Sequence, residues 1–512
     1  MAEAPAPAAV GVPRPSTPAV LAGALVALFT GSLTNTIIGI ALPTIAGELG
    51  GQDRAAWVAA AALLTMAAAT PVWGKLADRR GPRPVLLAAI ALFVVASLAA
   101  GLAPSMGWLI AGRAVQGAAS GGILACANAL VAVLVPARER GRYTGWFGLS
   151  FGTASVAGPL LGGLLVGPGG PGWRWCFLGV VPVTIAAAAL VRLAPDRRPA
   201  RRTAPLDHLG AALLAVAAGG LVLLLSAGGV AWPWMSPPTV VLGLAVGAAG
   251  ALAVLRERRA ADPVLPPRLF GSRTFTISCA ASLLVGTVMF GGIIYLPQFL
   301  QVVHGHDAMT AGLLMLPQVG TMIVASAVVG RLVVRSGRWK RYPTAGCALL
   351  VVGLAVLAPL TPATPAWQVA AGMALLGAGT GLTQQVLVLA AQDAVGPGDV
   401  GVAGSSATFA RTLGGAVGVA AFGAVLTARL RSDLPGALAA AGLPAGDDGV
   451  RRLLGTPAEV AALPAPLADA VRASYTHGLQ LAVLATLPVA VLALVAVAGI
   501  RETPLGEAAP AP

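Results

Sequence analysis

The sequence predicts an all-α polytopic membrane protein of fourteen spans, arranged as two six-helix bundles with two further helices inserted between them. Three observations predict it. Of 512 residues, 57% are hydrophobic and only 10% charged, whereas a soluble protein carries about 25% charged residues. Apolar runs of about 20 residues, enough to cross a bilayer as a helix, recur along the whole length. A short glycine- and arginine-bearing signature occurs twice, 256 residues apart. The alternating pattern of a membrane β-barrel is absent.

Residues 1–18 are Ala/Pro-rich and read as a disordered tail. They lack the basic start and short apolar core of a cleaved signal, so the first run is expected to remain as span 1. Span 1 covers Ala19 to Leu42, and further runs lie near 55–73, 84–103, 107–135, 143–166 and 176–193. These six make an N-terminal bundle, 19–193. Spans 7 and 8, near 209–228 and 238–255, form a central insert with basic linkers, 194–272. The last six, near 275–300, 309–334, 342–361, 366–391, 400–428 and 477–500, make a C-terminal bundle, 273–500, followed by a tail, 501–512. The segment 429–475 is expected as a long extracytoplasmic loop with room for one amphipathic helix.

Loop charge agrees with this count. The formal net charge is +14, a value that invites a nucleic-acid reading, but the basic residues sit in short loops between apolar runs. Lys75, Arg79, Arg80 and Arg83 follow span 2; Arg138, Arg140 and Arg142 follow span 4; Arg192 to Arg202 follow span 6. Arg256 to Arg273 follow span 8, and Arg331 to Arg341 follow span 10. The opposite loops up to span 12 hold little beyond Arg54 and Arg174. This alternation is the positive-inside pattern, with both termini in the cytoplasm of a cell whose cytoplasmic membrane holds the chain. The connection 392–400 is an exception, with two acids and no base. Trp57, Trp108, Trp173, Trp232, Trp234 and Trp367 fall near predicted outer ends and Trp73 and Trp339 near inner ones, as interfacial belts require. Cys126, Cys176, Cys279 and Cys347 are scattered singly and read as small buried hydrophobes. The four histidines form no metal-ligand spacing, and His304 and His306 read as a solvated loop.

The repeated signature is GKLADRRGPRP (Gly74 to Pro84) after span 2 and GRLVVRSGRWK (Gly330 to Lys340) after span 10. With spans 7 and 8 set aside, span 10 is the second helix of the second half, as a duplicated six-plus-six architecture demands. The first copy resembles the loop signature of the major facilitator superfamily at Gly74, Leu76, Ala77, Asp78, Arg79, Gly81 and Arg83, with Pro82 in place of the usual arginine. The resemblance implies that fold, and a cytoplasmic latch. Asp78 can face a helix N-terminus or a cation across the bundle interface, and the arginines can bridge other helix ends. The second copy has Val334 where Asp78 stands, and so lacks the acid.

Span 5 contains GWFGLSFGTASVAGPLLGG, with Gly145, Gly158, Pro159, Gly162 and Gly163. Such a helix would be poor in water, since each interior Gly costs roughly 1 kcal/mol and Pro about 3. In a bilayer, small residues admit a close neighbour and Pro can act as a pivot. The order of these residues resembles the superfamily's antiporter motif, with Ala154 where glycine is usual, and implies an exporter. LDHLG (Leu206 to Gly210), PPRLF (Pro266 to Phe270), YLPQFLQ (Tyr295 to Gln301), WRWCF (Trp173 to Phe177) and the segment around Arg411 further resemble the fourteen-helix drug:proton antiporter branch.

Intramembrane polar residues mark a transport path. Arg113, Gln116 and Gly117 share one face of span 4 and resemble a family motif whose arginine is linked to proton exchange. The alternative for Arg113 is snorkelling to the outer interface, about 7 Å away at 1.5 Å per residue. Arg411 lies deeper, beside the small-residue pair Gly414 and Gly418. The branch's usual span 1 acid is Thr34 here, and none of the nineteen acids falls in the middle of a predicted span. Asn35, Thr36, Gln298, Gln301, Gln384 and Gln385 remain as uncharged hydrogen-bonding groups. A neutral or anionic amphipathic substrate is therefore expected, held by Arg113 or Arg411. Proton coupling would use Glu48, Asp53 or Asp307 near the outer mouth.

The expected function is secondary active export of small amphipathic molecules, multidrug or antibiotic efflux, by a monomer in the lipid bilayer. No cofactor is expected beyond a proton or other ion gradient, and no nucleic-acid partner. No Walker-type GxxxxGK[ST] stretch occurs, so no nucleotide is expected. A membrane enzyme would need clustered Asp, His or Glu at one interface, which is missing. A dedicated exporter of an endogenous metabolite or lipid-like compound, and a non-transporting sensor, are the alternatives.

Overall fold

In a computed structural model, residues 17–50, 55–135, 137–167, 169–193, 207–228, 232–306, 308–396, 398–440, 465–500 and 502 are described. They form sixteen α-helices and no β-strand. In the first half these are α1 (Thr17–Leu49), α2 (Ala55–Arg80), α3 (Pro82–Gly101), α4 (Met106–Leu134), α5 (Ala137–Val166), α6 (Trp175–Leu178) and α7 (Val180–Val191). The insert is α8 (His208–Ala227) and α9 (Pro237–Arg259). The second half holds α10 (Arg273–Val302), α11 (Ala308–Leu314), α12 (Leu316–Ser336), α13 (Arg341–Leu357), α14 (Ala366–Asp393), α15 (Val400–Ala440) and α16 (Ala465–Ala498).

Each of the fourteen apolar runs coincides with helix. Eleven are long and apolar enough to cross a membrane, and shorter apolar helices occupy Trp175–Val191, Leu209–Leu225 and Arg341–Leu357. The exposed faces are apolar, with Val95, Leu164, Val241, Leu244 and Val495 among the outward side chains. Such a surface belongs in lipid, where every backbone polar group must be satisfied within the helix. The chain is a multi-pass membrane protein.

Helix ends follow local chemistry. Ser105, Asp207 and Ser272 accept backbone N–H groups at the starts of α4, α8 and α10. The glycines shared by the two signature copies, Gly81 and Gly337, both turn the chain at positive φ, 90° and 64°, a conformation that favours glycine.

Two large hydrophobic cores form, one from residues between Val20 and Val191, the other from residues between Ala281 and Val497, beside two smaller clusters between Leu269 and Ile500. The internal packing of the large cores repeats at corresponding positions. Thr65 on α2 donates to the Ala114 carbonyl at 2.6 Å, and Thr321 on α12 donates to that of Ala374 at 2.7 Å. Gly117 and Gly121 on α4 press against the Ala62 and Met66 carbonyls, as Gly377 and Gly381 on α14 press against those of Gln318 and Met322. Thr36 on α1 donates to the Ala154 carbonyl at 2.9 Å, and Thr287 on α10 to that of Gly414 at 3.0 Å. Gly158 and Gly418 lie against the same two threonines. The duplication thus extends well beyond the loop signature.

The halves meet along α2 with α15 and α5 with α12, supported by α4 with α15 and α5 with α14. Gly145, Gly148 and Gly152 seat α5 on Ser326 and Ile323 of α12, while Gly158 seats it on α1. Gly162 is buried, but Gly163 faces open space, so it serves no close contact. The side chain of Pro159 lies outside what is described. The insert packs through α8 on both α2 and α15.

The expected loop 429–475 is shorter than its sequence suggests. α15 continues to Ala440 and α16 begins at Ala465, because the flanking Ala/Leu-rich stretches continue the spans as helix. Residues 441–464, and the expected tail 1–18 apart from 17 and 18, lie outside the described residues. Trp173 is a correction too: it is 1% exposed, packed in the core rather than placed in an interfacial belt. Trp339 is buried likewise, whereas Trp57, Trp108, Trp234 and Trp367 are exposed. All four cysteines are free and buried.

Candidate functional site

The latch lies at the end of the molecule that carries Lys75, Arg79, Arg256, Arg268 and Arg335, the basic face. Asp78, in the last turn of α2, accepts the N–H groups of Gly401 and Val402 at 2.8 and 2.7 Å. These are among the first N–H groups of α15, which have no partner within their own helix and mark its positive end. The acid of one half therefore caps a helix of the other. A side chain at Gly74 would strike Ser405 and the Gly401 carbonyl, so the glycine is what lets the two helices approach. Arg83 donates to the Arg192 carbonyl at the end of α7 at 2.6 Å.

The linker that leaves the insert joins this latch. Asp262 pairs with Lys75 at 2.5 Å and Arg79 at 3.3 Å. Arg268 in PPRLF pairs with Asp399, just ahead of α15, at 2.7 Å. Asp207 of LDHLG caps α8 and binds Arg256 of α9 at 3.0 Å. Neither Asp262 nor Asp399 was recognisable as a partner from the sequence, because the pairs join segments more than 130 residues apart. In the second copy, where Val334 replaces the acid, Glu502 accepts the N–H groups of Trp339 and Lys340 at 2.7 and 3.0 Å.

Arg113 is 2% exposed and turned inward, so the snorkelling alternative does not hold. Its guanidinium donates to the Val58 carbonyl at 3.2 Å, Gln116 Oε1 at 2.6 Å and Asn35 Oδ1 at 2.8 Å. Gln116 in turn donates to Ser97 Oγ at 2.8 Å. Among the described residues its partners are all neutral oxygens, whose dipoles face its donors.

Asn35 also opens onto a cleft between the halves. One wall holds Ser32, Asn35, Thr36, Ser120, Phe151 and Ser155; the other holds Met289, Phe290, Met322, Gln384, Arg411 and Thr412. Four expected path residues, Asn35, Thr36, Gln384 and Arg411, therefore meet at one place, with Arg113 and Gln116 one hydrogen bond behind. Arg411 is 4% exposed and makes one long hydrogen bond, 3.5 Å to the Gln384 carbonyl. No acidic side chain among the described residues lines the cleft.

Gln298 is not part of this site. It is exposed and accepts from Tyr475 Oη at 3.0 Å, between α10 and α16, and is not among the residues that line the cleft. Gln385 is buried, with neither amide atom hydrogen bonded. Glu48, a candidate coupling acid, binds Arg174 and the Trp173 indole, the latter at 2.7 Å. The hydrogen bonds from Arg174 and then Trp173 hold its carboxyl below the ordinary value. Asp53 and Asp307 lie outside the described residues, as do the side chains of Arg138, Arg140 and Arg142.

The family model for the Major Facilitator Superfamily matches residues 24–419. A relative described as an uncharacterized MFS-type transporter, from Mycobacterium tuberculosis, is 39% identical over 92% of this chain and 68% of its own length. The multidrug transporter protein MdtP of Bacillus subtilis is 34% identical over 80% of this chain and 75% of its own. Among solved structures, the proton:xylose symporter XylE superposes with a TM-score of 0.60 at 13% identity, over 95% of this chain and 96% of that one; at this identity the likeness speaks for the fold. The two repeated halves, the capped α15 and these matches lead to one conclusion: the chain belongs to the major facilitator superfamily, and is a membrane transporter rather than an enzyme.

Proposed function

We propose that the chain exports small amphipathic molecules across the cytoplasmic membrane by alternating access, driven by inward proton flow, as a member of the fourteen-helix drug:proton antiporter branch. The basic face is then cytoplasmic, as are both termini. The observation that carries the reading is the shared cleft: each half contributes one wall, so rocking of the halves opens the same polar groups to either side. In the state described, the basic face is sealed. Residues 383–392 of α14 and 401–408 of α15 are buried without interruption, and Asp78 holds α15 against α2. Relatives named as a multidrug transporter protein and a multidrug resistance protein support the choice of cargo.

Efflux of the neutral dye phenylnaphthylamine from intact cells expressing the chain, with and without a protonophore, tests this reading. Dye is expected to leave faster than from cells without the chain, and the protonophore is expected to remove the difference. Efflux indifferent to the protonophore would overturn proton coupling, and no efflux of dyes of any charge would overturn multidrug export.

A further inference from the structure

We propose that the cleft selects amphipathic anions, with a carboxylate, sulfonate or phosphate-type headgroup seated on Arg411 and an apolar body on Met289, Phe290, Met322 and Phe151. The proposal rests on the transport reading for its purpose, but on the geometry of Arg411 for its chemistry.

The two intramembrane arginines differ in how they are satisfied. Arg113 spends its guanidinium on three acceptors at 2.6 to 3.2 Å. Arg411, equally buried, has one acceptor among the described residues, at the limit of bonding distance, and lines the cleft. A guanidinium carries five N–H donors in a planar fork that matches carboxylate, sulfonate or phosphate oxygens. A charge within a membrane is costly unless it pairs or meets water or ligand, and no described acid reaches Arg411. The packing repeat sharpens the point. Arg411 occupies in α15 the position that Phe151 occupies in α5, 260 residues earlier, and both face the cleft. The scaffold thus accepts an apolar side chain here, and the arginine is not needed to join α15 to α10. Methionine and aromatic walls suit varied apolar bodies, so the headgroup is what Arg411 specifies.

The test uses the purified full chain in nanodiscs and two probes with the same aromatic body, anilinonaphthalene sulfonate and neutral phenylnaphthylamine. The sulfonate is expected to bind more tightly than the neutral probe. Arg411→Gln is expected to weaken sulfonate binding about tenfold or more, as loss of a charge-assisted contact does, with phenylnaphthylamine unchanged and Arg411→Lys retaining part of the preference. Thr412→Asp, which places a carboxylate beside an intact Arg411, is expected to weaken the sulfonate in the same way and guards against misfolding of the first variant. Equal binding of both probes by the unaltered chain, or sulfonate binding indifferent to both Arg411→Gln and Thr412→Asp, would overturn the proposal. Because binding is read without transport, a chain that exports dyes yet ignores headgroup charge refutes this inference alone. One that binds sulfonate through Arg411 but moves nothing refutes only the transport reading.

Discussion

Asp78→Asn is expected to slow transport at least tenfold while leaving the protein assembled. The carboxylate receives two backbone N–H groups from the start of α15, and its charge faces the positive end of that helix. Asparagine keeps one accepting oxygen, turns an amide N–H toward the second donor, and brings no charge. Loss of one charge-assisted hydrogen bond costs about 2 kcal/mol, which moves a two-state equilibrium by roughly thirtyfold. These bonds join α2 of one half to α15 of the other, so the penalty is expected to fall on the sealed state and not on the fold of either half. Lys75, Arg79 and Asp262 still strap the insert's linker to α2. Initial efflux rates normalised to folded protein check this; a rate unchanged in Asp78→Asn would show that the cap is incidental to the cycle.

Arg113→Met is expected to abolish proton-driven efflux without unfolding the first half. The corresponding position in the repeated half is Met373, fully buried between α14 and its neighbours, so methionine suits the packing. The substitution leaves Asn35 Oδ1 and Gln116 Oε1 without their donor, at about 1–3 kcal/mol for an unsatisfied buried group, while the Val58 carbonyl keeps its partner within α2. Asn35 faces the cleft, and its orientation depends on Arg113, so the wall that meets the substrate is disturbed as well. The expected result is dye efflux at the level of cells without the chain, from protein that still elutes as a single species in detergent. Full efflux from this variant would make Arg113 a structural residue.

Much of this was legible from residue order. Each apolar run fell on a helix because in lipid a long apolar segment has no other way to satisfy its backbone. The resemblance to the loop signature marked Asp78 as an acid that faces either a helix N-terminus or a cation across the interface; that it meets the start of α15 required the fold. The inward turn of Arg113 was hinted at by Gln116 one turn away, and the three acceptors explain why it does not snorkel. The sequence was less informative about tertiary partners. Gln298 and Gln384 look alike on paper, yet one faces α16 and the other the cleft, since helical spacing does not tell which neighbour a face will meet. The pairs Lys75–Asp262 and Arg268–Asp399 were hidden by sequence separation. The repeat was visible only where side chains recur; its packing part uses Gly, Ala and Thr, residues too common in membrane helices to stand out without coordinates.

Asp78 and the start of α15 hold the basic face shut, and release of that cap is expected to let the two halves rock about the cleft. Spin labels at Glu139 and Arg335, exposed at the basic ends of α5 and α12, would report that opening directly in a background with the four native cysteines replaced. A single short-distance population is expected for the chain with Asp78, and an added longer-distance population for Asp78→Asn. Identical distributions in both would contradict the account.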